Sequence, residues 1–204
     1  MSHTSRVLVP FGRNAEGRMV DALAVPNGLA CNCHCPQCNA PLVARQGAVN
    51  VAHFAHYSVS DCRGAAETAL HQLAKQILCD SRTITLPPAF IRIGWDQPER
   101  IMWHSRWTYD RAEVEPAIGS IRPDVLLAND FRRIAAEIFV AHQVEPEKIG
   151  RFARLGLDAI EIDLSHCPRF IPEARVRDQV LAQAPRAWLF CGIAQRAHVE
   201  RISR

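Results

Sequence analysis

Two groups of residues in this chain have types and spacings that could do chemistry. The first is a pair of carboxylates in Ile121 to His142, where the apolar runs Val125–Ala128 and Ile134–Val140 flank the polar, turn-forming Asn129-Asp130-Phe131-Arg132-Arg133. This pattern predicts a β-hairpin. A reversal centred near Asp130-Phe131 sets Asp124 opposite Glu137, on one face of a sheet. Converging carboxylates repel, so one stays protonated or a cation sits between them, and a hard ion such as Mg2+ or Mn2+ suits oxygen ligands. The second group is Cys35-Pro-Gln-Cys38, then fourteen residues, then His53-Phe-Ala-His56. Two such pairs can each close a tight knuckle and together complete a tetrahedral Zn2+ site. Cys62 is an alternative fourth ligand, and Cys31 and Cys33 compete for the metal.

The elements that must position these groups can be read from periodicity. Ala65 to Leu78 is helical by pattern, with Ala66, Leu70, Leu73 and Ile77 as its apolar stripe. Glu67, His71 and Lys75 follow one another at intervals of four and border that stripe. Residues 83–120 hold Trp95, Trp103, Trp107 and short β-like runs at Ile84–Leu86, Ile91–Ile93, Ile101–His104 and Ala112–Glu115. These tryptophans and Tyr109, beside Arg100, Arg106 and Arg111, have the composition to stack bases and hold phosphates, although aromatics so placed more often pack half-buried in a sheet. Pro146 to Leu155 reads as a helix opened by proline and closed by Gly156. Ala159–Leu164 alternates as a strand, with Glu161 and Asp163 on its polar face. Near the N-terminus, Val7–Phe11 and Met19–Leu23 flank a turn at Asn14–Gly17, and Pro41–Ala44 and Val49–Ala52 fit a small ribbon between the ligand pairs. A last helix, Pro172–Ala184, and a strand, Ala187–Phe190, are expected to extend the sheet.

Composition narrows the classes. A chain of 204 residues with 48% apolar and 22% charged residues is long enough for a real core and typical of a soluble globular protein. No apolar run is long enough for a membrane helix, and the N-terminus lacks a signal-peptide core, so a cytoplasmic protein without a membrane partner is expected. Eight cysteines with no secretion signal point to metal or redox chemistry rather than disulfides. A formal net charge of +3 does not by itself announce a nucleic-acid binder, but seven arginines lie between Arg169 and Arg204. Only Lys75 and Lys148 among the 24 basic residues are lysines, which narrows any search for a catalytic lysine to two positions.

Pro123-Asp124, twelve residues, then Glu137-Ile138-Phe139 resembles the hairpin of PD-(D/E)XK nucleases, in which an Asp, a Glu and a Lys two residues after the Glu bind Mg2+ and activate water. Here that lysine is replaced by Phe139. CPQC, HFAH, the ExxxHxxxK helix, RPDV and the EIF strand, in this order, resemble the competence protein CoiA-like family over roughly residues 26–165. Members of that family join a zinc-ribbon-like region to a PD-(D/E)XK nuclease-like domain. The resemblance implies that Glu67 is the helix carboxylate of the core, binding or orienting metal-bound water. It makes Lys75 or His71 the replacement for the missing lysine, with Lys148 as the other candidate, and Glu161 and Asp163 additional site residues.

The expected architecture is mixed α/β, in three parts. Residues 1–62 form a β-rich zinc module, 63–168 a restriction-endonuclease-like αβββαβ core, and 169–204 a helix-strand extension. The expected activity is metal-dependent hydrolysis of single- or double-stranded DNA, with DNA-processing proteins as partners. Zn2+ would be structural and Mg2+ or Mn2+ catalytic, the latter held by Asp124 and Glu137. The alternative is a DNA-binding module on a nuclease fold that has lost hydrolysis.

Overall fold

The computed structural model describes residues 8–47, 51–58, 62–94 and 97–203; Val7, Val49, Asn50, Trp95 and Arg204 lie outside them. The chain divides into two compact units, Met1–Ile77 with His166–Asp178, and Leu78–Ser165 with Gln179–Arg204.

In the first unit, β1 (Leu8–Val9), β2 (Phe11–Arg13), β3 (Met19–Asp21), β4 (Leu42–Arg45) and β5 (His53–His56) form two small sheets. β2 and β3 are the predicted hairpin, and β1, β5 and β4 pair antiparallel in that order. The core between them is Val9, Phe11, Leu42, Ala44 and Phe54, all buried. Gly12 lets the sheets approach closely, since a Cβ there would meet Cys33, Leu42 and Phe54 side chains at 3.2 Å.

Helix α1, Ala65–Asp80, starts in this unit. The Gln76 side-chain amide donates to Met19 O at 3.0 Å and accepts from Met19 N–H at 2.8 Å, and Thr68 Oγ1 donates to Gln37 at 2.5 Å. These bonds fasten the helix to β3 and to the Cys35–Cys38 loop.

The second unit is built on β10 (Arg111–Val114), β11 (Val125–Ala128), β12 (Arg133–Phe139), β13 (Asp158–Asp163) and β14 (Arg186–Phe190), preceded by two ribbons. In the ribbons β6 (Thr83–Leu86) pairs with β9 (Ser105–Thr108), and β7 (Ala89–Ile91) with β8 (Glu99–Met102). The five-stranded sheet runs in sequence order; β12 and β13 are parallel and the other neighbours antiparallel.

A parallel pair needs a crossover, which here is α2, Pro146–Leu155. Proline at its first turn and Gly156 at φ +60 close its two ends. Phe152 and Leu157 pack on Ala135 and Ala159, so α2 covers the sheet face that carries the odd-numbered residues of β12 and β13. β14 is an integral edge of this sheet. The expected last helix is α-helical over Glu173–Asp178 and π-helical over Gln179–Gln183. A further helix, Gly192–Ile202, follows β14 and buries no residue, so no apolar stripe announces it in the sequence. Among the described residues no helix is long and apolar enough to cross a membrane.

Candidate functional site

Two sites emerge, one in each unit. In the first, the knuckle Cys35–Cys38 is closed by Asn39 N–H donating to Cys35 O at 2.9 Å, with Asn39 in the left-handed region at φ 61. Cys35, Cys38, His56 and Cys62 place their ligand atoms within 4.8 Å of one another, the one such group of three or more among the described residues. Cys35 Sγ is 3.9 Å from Cys62 Sγ, and Cys38 Sγ 3.3 Å from His56 Nε2. A zinc tetrahedron built on Zn–S and Zn–N bonds of about 2.3 and 2.0 Å has edges of about 3.8 and 3.5 Å, so the cluster fits the ion. Burial, then the sulfurs of Cys38 and Cys35, pushes the Cys62 thiol up to about 12. A cation bound among these sulfurs would reverse that and hold them as thiolates.

His53 is not in the cluster. Three residues apart on a strand, His53 and His56 point to opposite faces, and His53 Nδ1 instead contacts Val51 O at 2.8 Å. Cys62 is instead the fourth donor of the cluster. Cys31 and Cys33 are also outside, their buried thiols donating to Leu42 O and Cys31 O at 3.3 Å.

In the second unit the hairpin has the expected register. Val125 pairs with Ala136, which sets Asp124 beside Glu137, and Asp124 Oδ2 accepts the Ile138 N–H at 2.9 Å. Glu137 is buried, and its Oε1 has no hydrogen-bond partner among the described residues. Its Oε2 accepts from Lys148 Nζ at 2.7 Å. The Glu137 carboxyl is raised to about 7, chiefly by burial, with the Lys148 contact pulling it down and the Asp124 charge pushing it up.

Glu161 lies beside Glu137 in the parallel register and accepts the Val144 N–H at 3.1 Å. Asp163 turns to its own loop, accepting from Ser165 N and Oγ at 2.9 and 2.6 Å. Phe139 follows Glu137 on the same face.

Glu67, His71 and Lys75 are on α1 in the first unit, with Lys75 buried. The lysine that reaches Glu137 is Lys148, brought by α2. Its signal in the sequence was the proline-opened helix between two parallel-type strands, which must lie across the sheet. Tyr109 is buried, donating to Leu78 O at 2.6 Å, and is no surface aromatic; Trp103 is largely exposed.

Residues 29–65 match the family model of the competence protein CoiA, N-terminal domain. Over this stretch the chain is CoiA-like. No curated protein and no solved structure matches the chain. The CoiA-like stretch contains all four clustered ligands, Cys35, Cys38, His56 and Cys62, and ends at the start of α1. The hairpin, α2 and β13 lie beyond the CoiA-like match.

Proposed function

We propose that this chain is a metal-dependent DNA nuclease of the competence CoiA-like type, in which Lys148 on α2 replaces the strand lysine absent at Phe139. The observation that carries the reading is the 2.7 Å contact of Lys148 Nζ with Glu137, whose register partner across the hairpin is Asp124. The order of three antiparallel strands, a helix and a parallel strand supports it, as does the CoiA-like N-terminal match.

Asp124, Glu137 and the neighbouring Glu161 would hold Mg2+ or Mn2+, and the unpartnered Glu137 Oε1 suits a hard cation. Such an ion lowers the pKa of bound water and offsets phosphate charge. Asp124 is held rigid by the Ile138 N–H. Lys148 would favour the ionised form of Glu137 and present its remaining N–H groups to a phosphate oxygen or the attacking water. Glu67 and His71 stay candidate site residues and Lys75 the competing lysine. Zinc at the CoiA-like cluster would be structural, its ribbon helping to hold DNA.

A second reading has its own support. Lys148 neutralises Glu137 without a divalent cation, and Phe139 can neither polarise water nor bind phosphate; both suit a DNA-binding module that has lost hydrolysis. The test is cleavage of single- and double-stranded DNA by zinc-loaded protein with Mg2+, Mn2+ or no added divalent cation. Asp124→Ala, Lys148→Ala and Lys75→Ala run beside the wild type. Metal-dependent product that disappears in Asp124→Ala and Lys148→Ala supports the nuclease. Salt-sensitive DNA binding with no product from the folded wild type supports the binding module.

A further inference from the structure

The β7–β8 ribbon carries an aromatic–cation–aromatic arrangement that the proposed hydrolysis does not use. Phe90 and Arg100 are register partners across the ribbon, so their side chains share one face. The Arg100 guanidinium carbon lies 5.6 Å from the Phe90 ring centroid and 3.9 Å from that of Trp103, which follows β8 in the turn before β9. Arg100 covers one face of the indole. Trp103 is nonetheless 72% exposed and Phe90 47%, so the outer indole face lies open to solvent.

The charges nearby favour a polyanion. Arg92, Arg100 and Arg106 are exposed, against Asp96 and Glu99 as the acidic residues of 89–108, and Glu99 is paired with Arg201 at 2.8 Å. A flat open ring backed by a guanidinium, in a stretch that carries two further exposed arginines, matches a chain that alternates planar bases with phosphates. A duplex keeps its bases stacked on one another and offers no such face.

We propose that the Phe90–Arg100–Trp103 stack is a platform for single-stranded DNA, with an unpaired base on the outer face of Trp103 and its phosphates near Arg92 and Arg106. It rests on the DNA reading above for the identity of the polyanion, and goes beyond it by choosing the unpaired strand and naming where it lies.

The test is binding of a labelled oligothymidylate of about twelve nucleotides, and of a duplex of equal length, by anisotropy without added divalent cation. Tryptophan emission is followed in parallel. Trp103→Ala should weaken single-strand binding about tenfold and duplex binding less than twofold, with an unchanged melting temperature. Trp103→Phe should keep most of the affinity while losing the quenching that single-stranded DNA produces in the wild type. Single-strand affinity and quenching unaltered in these variants would overturn the platform even if the wild type cleaves DNA. Quenching and affinity lost as expected, in a protein that never cleaves with Mg2+ or Mn2+, would uphold the platform and remove the nuclease.

Discussion

Lys148 Nζ and Glu137 Oε2 lie 2.7 Å apart because the α2 crossover folds back over the strand that carries the glutamate. The lysine is thus delivered from a helix to the strand face where Phe139 follows Glu137.

If this lysine serves hydrolysis, Lys148→Ala should lower the cleavage rate by about a hundredfold or more, the usual cost of one lost charge-stabilising donor. Adding Phe139→Lys to that variant should restore part of the rate, since residue 139 shares the face of Glu137. Single-turnover rates on saturating DNA measure both. A Lys148→Ala rate equal to wild type, with Lys75→Ala inactive, would move the role to α1.

The raised carboxyl predicts a pH effect on stability. Glu137 titrates near 7 in the folded chain against 4.5 as its ordinary value, so the folded state binds the extra proton between those limits. The stability this proton lends is present below about pH 4.5 and is lost as pH rises through 7, by a few kcal/mol at most. In zinc-loaded protein without Mg2+, wild type should lose stability between pH 5 and 8 relative to Glu137→Gln. Denaturant midpoints across that range read the difference, and parallel curves would contradict it.

The cysteine–histidine cluster distinguishes two histidines three residues apart. Purified wild type should carry about one zinc per chain, Cys62→Ser should lose most of it, and His53→Ala should keep it. Structural zinc contributes on the order of 10 kcal/mol to a small module, so the Cys62 variant should also lose the cooperative melt of the first unit. Elemental analysis and calorimetry decide, and zinc lost from His53→Ala alone would return that residue to the ligand set.

Asp158 joins the end of the sheet to the last helix. It accepts from Arg132 Nε at 2.6 Å and from the Gly192 N–H at 2.7 Å, capping that helix from another strand. With its side chain 12% exposed, Asp158→Ala should cost about 3 kcal/mol by leaving Arg132 without its anion. Asp158→Asn keeps a capping oxygen and should cost less. Urea unfolding of the two variants gives the comparison.

Much of the hairpin was legible because its information is local. Alternation sets which side chains share a face and the polar turn sets the register, so Asp124 beside Glu137 follows from residues fewer than twenty apart. The α2 helix and β13 were legible for the same reason. Trp107 and Tyr109 were not separated: nothing local says that Tyr109 turns inward to the Leu78 carbonyl near the end of α1.

The sequence by itself determined the donor chemistry. It holds thiols and imidazoles of the kind that suit zinc, carboxylates of the kind that suit a hard cation and only two lysines, and it placed the carboxylate pair through strand periodicity. Tertiary structure decided which donors meet. His53 was excluded once its segment became a strand that points it away from His56, and Cys62 entered through the return of the chain past the knuckle. Lys148 reached Glu137 because a parallel pair of strands requires a crossover on one face of the sheet. Residue spacing cannot encode these choices, since each depends on packing between segments that are separate in the chain.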